Sequence, residues 1–245
     1  MQKWYIGCSG FYYLEWKNKF YPEKLPKTKW FEYYTQQFNT LELNNTFYKF
    51  PELKTLMIWY NRSPENFIFS VKAPRSITHY SKFSDSKELL SKFYRVIKEG
   101  LKEKLGCVLF QLPPNLHLNE EKLELIIKNI NPDFKNVIEF RHQGWWNDTV
   151  SQKLSQSNVV FCGINHPTLP NEIMQNTQTL YYRFHGAPQL YKSEYSKEVL
   201  KKFAEEILKS ESVKEVYVYF NNTSNLAAIK NAKQLIEVVN KNLSV

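Results

Sequence analysis

Eight short, nearly continuous apolar segments recur along the chain, separated by longer stretches in which apolar residues return every three or four positions. Short runs rich in Val, Ile, Phe and Tyr are typical of parallel strands buried on both faces. The longer spacing indicates amphipathic helices. The predicted strands are Trp4–Ser9, Thr40–Asn44, Phe67–Lys72, Cys107–Leu112, Val137–Arg141, Val159–Ile164, Leu180–His185 and Val216–Asn221.

Helical patterns lie between most of these strands. They cover Trp30–Phe38, Leu53–Tyr60, Leu89–Leu101, Leu123–Ile130, Ser196–Lys209 (with Ser196 as N-cap) and Leu226–Val239. Pro167 and Pro170 interrupt any helix between the sixth and seventh strands. The alternation predicts an α/β fold, a single TIM-like (β/α)8 barrel domain over residues 1–245. A doubly wound open sheet is the alternative, weakened because no glycine-rich phosphate turn follows a strand.

Polar residues stand at the downstream ends of these strands, in pairs two positions apart or singly. Residues i and i+2 of a strand share a face, and the C-terminal ends of parallel strands are where α/β proteins hold their sites. The candidate catalytic residues are Glu42, Lys72, Glu139 and His185, and the candidate ligand-binding residues are Asn44, Arg75, Gln111, Arg141, Arg183 and Asn221.

The residue types at this predicted barrel mouth favour an anionic ligand. Arg141 and Arg183 can hold a phosphate or carboxylate through two parallel hydrogen bonds, and Lys72 adds a charge or a nucleophile. Metal-independent acid/base catalysis would use Glu42 or Glu139 as base and His185 as acid. The alternative is structural, since buried charges also pair with one another simply to satisfy the fold.

A metal hydrolase is a further alternative, which the same residues argue against. Such centres need several His and carboxylate ligands, whereas the strand ends carry two carboxylates, and Lys72 and Arg141 would repel a cation. The sequence therefore predicts neither a metal nor a cofactor. Whether the protein is an enzyme at all stays open.

Charge and aromatic content bring in nucleic acid as a second possible partner. The 33 Lys and Arg against 24 Asp and Glu give a net charge of +9, although many of the lysines lie on helical faces. Aromatic side chains in loops can stack on bases while basic residues hold phosphates. The loop candidates are Tyr12, Tyr13, Trp16, Trp145, Trp146 and Tyr191, with Arg75 and Lys192 nearby.

The three cysteines, the N-terminus and the hydropathy indicate a cytoplasmic protein with no membrane partner. Cys8, Cys107 and Cys162 show no paired spacing, which favours reduced thiols. No segment resembles a signal peptide, and no run of about 18 apolar residues is present. Cys8 at a strand end is a minor candidate nucleophile.

Several ordered motifs identify the chain as similar to the YecE-like family, also called domain of unknown function 72. They are Ile6–Gly10, Phe20–Pro22, Glu42–Tyr48, Val71–Arg75, Ile77–His79, Phe110–Pro114, Glu139–His142, Arg183–Gly186 and Val218–Asn222. The resemblance implies a TIM-like barrel without an established activity. A fold-level similarity to endonuclease IV and sugar-isomerase barrels suggests nucleic-acid roles by analogy only. The chain departs from the family at Asn165, where an Asp is frequent, and at Thr223, where an Asp-Gly sequence follows the paired Asn.

Overall fold

The computed structural model describes residues 2–243, which form nine strands and eight α-helices. The strands are β1 (Lys3–Ser9), β2 (Thr40–Leu43), β3 (Ile68–Lys72), β4 (Leu105–Gln111), β5 (Lys135–Glu139), β6 (Val160–Phe161), β7 (Gly163–Asn165), β8 (Thr179–Phe184) and β9 (Glu215–Phe220). The helices are α1 (Trp30–Thr35), α2 (Asn45–Tyr48), α3 (Leu53–Arg62), α4 (Lys87–Leu101), α5 (Glu120–Asn129), α6 (Asp148–Gln156), α7 (Lys197–Leu208) and α8 (Ala227–Leu243).

The fold class is the one predicted, α/β with the strand–helix alternation of a TIM-like barrel. The sixth predicted strand is broken at Cys162 into β6 and β7. No helix lies between β7 and β8 within the described residues, as the two prolines predict. Helix α6 is not among the predicted helices, because its two buried residues, Val150 and Leu154, make too weak a stripe.

The chain divides into two compact units. Unit 1 consists of the described residues up to Leu41 and those from Gly163 onward, and unit 2 is Glu42–Cys162. In unit 1 the strand order is β1-β9-β8-β7, all parallel, and Cys8, Phe220 and Phe184 lie at one level. In unit 2 the strands from β3 to β6 follow one another in chain order.

Two of the loop aromatics proposed as base-stacking residues are core residues instead. In unit 1 Trp16 is fully buried, and its indole N–H donates to the Asn225 carbonyl at 2.8 Å. In unit 2 Trp145 is fully buried, donates to the Leu116 carbonyl at 2.7 Å and stacks on Phe140. The nucleic-acid interpretation of Trp16 and Trp145 is therefore wrong, because buried rings cannot stack on a base.

The three cysteines are buried and free. Burial raises the pKa of the Cys8 thiol far above its ordinary value, which makes that thiol inert as a nucleophile. Residues 2–243 contain no helix long and apolar enough to cross a membrane.

Candidate functional site

The predicted site residues divide between the two units. Unit 2 holds Glu42, Asn44, Lys72, Arg75, Gln111, Glu139 and Arg141, whereas unit 1 holds Arg183, His185 and Asn221. Two groupings are defined by their contacts. The charged cluster of unit 2 comprises Lys72, His79, Gln111, Glu139 and Arg141. The amide cluster of unit 1 comprises Asn165, His185, Tyr195, Asn221 and Asn231.

An ion pair anchors the charged cluster at the end of β5. Glu139 is the last residue of that strand and is fully buried, while the Arg141 side chain is 10% exposed. The Arg141 Nε donates a hydrogen bond to Glu139 Oε1. A carboxylate taken fully out of water needs such a partner, so the pair fixes both side chains.

Lys72 ends β3 and lies under an aromatic ring. The Lys72 Nζ donates to Gln111 Oε1 at 2.5 Å and stands 4.0 Å from the centroid of the Phe47 ring. Gln111 is the register partner of Glu139 on β4 and β5. The sheet register thus brings Gln111, which binds the ammonium, beside the ion pair.

The short helix α2 is tied to β3 by one hydroxyl. Thr46 Oγ1 lies 2.6 Å from the Lys72 carbonyl and 3.0 Å from the Leu43 carbonyl. The turn that begins α2 carries Asn44, whose buried Oδ1 has no hydrogen-bond partner among residues 2–243. Glu42, two residues earlier on β2, is fully buried.

His79 belongs to the charged cluster, although it is not among the predicted site residues. It lies on a single π-helical turn, Ser76–Tyr80, closed by the Ser81 N–H donating to the Ser76 carbonyl at 3.1 Å. The His79 ring meets Phe47 edge-on at 4.9 Å. His79 Nδ1 is 2.9 Å from the Thr78 hydroxyl.

The pKa of His79 is set by burial and by the cations around it. Burial lowers it from the ordinary 6.5 to about 4, helped in decreasing order by the positive charges of Lys72, Arg141, Arg75 and Lys82. The imidazole is therefore neutral near pH 7, because it is partly buried in a field set by cations. The sequence indicates a role for His79 only through the long segment after Lys72, which carries Arg75 and His79 and is long enough to wall a site.

The amide cluster of unit 1 is built around His185. This residue directly follows β8 and is fully buried, and its Nδ1 is 3.0 Å from Asn221 Nδ2. With the Asn221 amide nitrogen as donor, Nδ1 is the acceptor, and a neutral ring would then carry its proton on Nε2. Arg183 precedes His185 by two positions on β8 and is also buried.

Neutral hydrogen bonds hold the backbone around His185. Its N–H donates to the Asn165 carbonyl at 3.0 Å. The Tyr195 hydroxyl donates to Asn165 Oδ1 at 2.6 Å and accepts from the Gly186 N–H at 2.7 Å. Burial raises the pKa of Tyr195, so this hydroxyl stays protonated. Asn231 accepts from the Tyr195 N–H at 3.0 Å and donates to its carbonyl at 2.8 Å.

Residue 165 has a structural role in this cluster. The Asn165 side chain accepts from Tyr195, and this hydrogen bond links the end of β7 to the chain that precedes α7. Either an amide or a carboxylate oxygen can accept from a phenol. An Asp at position 165 would therefore keep the contact.

The described side chains lack the geometry of a metal centre. Across residues 2–243, no group of three or more His, Cys, Asp or Glu side chains is placed to hold a metal ion. His117 and His142 of unit 2 do stack at 4.1 Å, with rings inclined by 21°. Parallel stacking faces the ring planes toward each other, whereas a metal shared by two imidazoles lies in both planes.

Sequence comparison finds one family over nearly the whole chain. A model described as "Protein of unknown function DUF72" matches residues 5–244. The UPF0759 protein YunF of Bacillus subtilis (strain 168) is 26% identical, with 96% of this chain and 94% of that protein covered. The UPF0759 protein YecE of Escherichia coli (strain K12) is 25% identical over about half of each protein, 52% of this chain and 49% of YecE.

Solved structures give the same result. A DUF72 family protein from Thermotoga maritima superposes with a TM-score of 0.88 at 29% identity, covering 98% of this chain and 100% of that one. A DUF72 family protein from Enterococcus faecalis gives a TM-score of 0.81 at 21% identity over 97% and 95% of the two chains, a likeness of fold alone.

Proposed function

The chain belongs to the DUF72 family of proteins of unknown function, and we propose that it binds a phosphate- or carboxylate-bearing ligand at the charged cluster of unit 2. The observation that carries the proposal is the set of cationic side chains around His79. Besides burial, which contributes most, four cationic side chains act on this imidazole and help to lower its pKa to about 4. An anion entering that field is attracted by the same charges.

The side chains of the cluster suit an anion in kind as well as in charge. Arg141 carries a planar guanidinium fixed through its Nε by Glu139, which orders the group before a ligand arrives. Lys72 supplies an ammonium on a buried stem, and Gln111 supplies an amide. Charge-assisted hydrogen bonds from such donors are about twice as strong as neutral ones.

His79 is the acid–base group that we propose for this cluster. A bound anion would oppose the field of the cations and so raise the pKa of His79 toward neutrality. The imidazole would then exchange a proton with the ligand near pH 7 without a metal. His185 of unit 1, whose Nδ1 contacts the Asn221 side chain, is a separate candidate acid.

The binding proposal is tested with two matched lysine variants. Lys72→Met removes the ammonium of the cluster, whereas Lys104→Met removes a buried ammonium of the same unit that donates to the Tyr60 and Ser63 carbonyls. Binding of inorganic phosphate and of succinate is measured by calorimetry. We expect Lys72→Met to weaken binding about tenfold or more, since a hydrogen bond to a charged group contributes about 1.5–3 kcal/mol.

Lys104→Met serves as the control, because it should lower thermal stability and leave affinity unchanged. Equal affinities in wild type, Lys72→Met and Lys104→Met would contradict the proposal. So would wild-type protein that binds neither anion.

Nucleic-acid binding is a second candidate function, favoured by exposed aromatic residues next to basic ones. Tyr12 and Tyr191 of unit 1 are 55% and 40% exposed, and Lys192 follows Tyr191. Binding to a single-stranded oligonucleotide that weakens steeply with salt and survives Lys72→Met would support this candidate over the anion site.

A further inference from the structure

Two tyrosines of unit 2 stand out by their exposure. Tyr48 and Tyr80 are 71% and 68% exposed, more than the other large apolar side chains of residues 2–243. The guanidinium carbon of Arg75 lies 5.7 Å from the Tyr48 ring centroid and 5.5 Å from that of Tyr80. Arg75 is itself exposed. We call these three side chains the tyrosine–arginine surface.

This surface is joined to the charged cluster through neighbouring residues in the sequence. Tyr48 follows Phe47, and Tyr80 follows His79. The inner members of these two pairs, Phe47 and His79, meet edge-on at 4.9 Å, and Phe47 covers the Lys72 ammonium. The outer members are the two exposed tyrosines. The tyrosine–arginine surface therefore adjoins, in sequence, the two rings beside Lys72, and its Arg75 is also one of the cations that act on His79.

The chemistry of the surface selects for planar groups. Phenol rings and guanidinium planes both stack on aromatic rings, and an exposed arginine between two tyrosines offers both kinds of face. Single exposed apolar side chains are ordinary on protein surfaces. Two tyrosines that contact one guanidinium beside a cationic cluster together form a patch that prefers a ligand with both a planar group and a negative charge.

We infer that the ligand of the charged cluster is an anion that also carries an aromatic or heteroaromatic ring, with the ring stacked on Tyr48, Arg75 and Tyr80. The inference rests on the proposed function, since the charged cluster must hold the anionic group. It narrows the ligand class from any phosphate or carboxylate to ring-bearing ones, such as aryl phosphates and nucleoside monophosphates.

The test compares phosphates with and without a ring. Affinities for phenyl phosphate and adenosine monophosphate are measured against those for inorganic phosphate and glycerol phosphate. We expect the ring-bearing phosphates to bind about tenfold more tightly or better, as for single stacked bases. The double variant Tyr48→Leu/Tyr80→Leu should lose this preference and keep its affinity for inorganic phosphate.

Tyr48→Phe/Tyr80→Phe is the matched control, because it keeps both rings and should keep the preference. Equal affinity of the wild type for ring-bearing and ring-free phosphates would overturn this inference and leave the anion site intact. Absence of binding by all four phosphates would overturn the proposed function and the inference with it. An oligonucleotide that binds while adenosine monophosphate does not would replace the small ligand by nucleic acid.

Discussion

The charged cluster of unit 2 and the amide cluster of unit 1 order their polar side chains by different means. In the amide cluster the contacts are short neutral hydrogen bonds, such as those that the Tyr195 hydroxyl makes with Asn165 and Gly186. In the charged cluster the pKa of His79 responds to burial and to charges around it. A neutral hydrogen bond acts only between the two groups that form it, whereas a charge acts over several angstroms where water is excluded. We therefore expect the hydrogen bonds of Tyr195 in the amide cluster to be indifferent to pH, and the charged cluster to respond to both pH and ligand.

The largest expected effect comes from breaking the ion pair of the charged cluster. Glu139→Ala leaves the Arg141 guanidinium without its buried carboxylate, which should lower the free energy of unfolding by about 3–5 kcal/mol. Denaturant unfolding measures the loss. Glu52→Ala is the control, because its ion pair with Lys49 is exposed and should contribute nothing measurable. Similar losses of unfolding free energy in the two variants would mean that the buried pair contributes no more to stability than the exposed one.

A smaller effect is expected in the amide cluster. Tyr195→Phe removes the hydroxyl that joins Asn165 to Gly186, which should lower the free energy of unfolding by about 1–3 kcal/mol. The raised pKa of Tyr195 keeps it neutral, so the loss should be the same from about pH 5 to pH 8. Tyr48→Phe, on an exposed ring, is the control. A loss that grows on acidification would show that charge enters this cluster as well.

The most direct view of the field comes from the pH dependence of stability that His79 introduces. Its folded pKa of about 4 lies below the ordinary 6.5, so the unfolded chain takes up the proton first. Stability from this group is therefore present above about pH 6.5 and lost as the pH falls toward 4. The difference in unfolding free energy between wild type and His79→Gln should change across that window.

Nuclear magnetic resonance of the His79 ring measures its pKa in the folded protein and so tests the field of the cations without unfolding. The free protein should titrate near pH 4, and saturating phosphate should raise that pKa because an added anion offsets the cations. A free-state pKa close to 6.5 would remove the main support for the anion site. An unshifted pKa in the presence of bound phosphate would place the anion elsewhere.

The strands can be predicted well from the sequence and the cluster members in part, for physical reasons that differ between residues. Continuous apolar runs mark buried parallel strands, and a polar residue that ends such a run, such as Lys72 or Glu139, is visible in the printed chain. His79 escapes prediction because its importance arises partly from its contact with Phe47 and from the charge of Arg141, both of which lie far from it in sequence. Trp16 and Trp145 are misassigned because a loop position does not reveal that a ring is buried.

The number of residues in the π-helical turn Ser76–Tyr80, rather than the identity of its side chains, determines which ring faces inward. A π-helical turn holds one more residue than the α-helical turn it replaces. Deleting one residue here would rotate the residues that follow it in the turn by roughly 100°, the angle between successive residues of an α-helix. Tyr80 would then approach the place of His79 on the inner side. Among homologous proteins, a gap or an insertion in this segment is thus expected to change the inner ring even where both His and Tyr are retained.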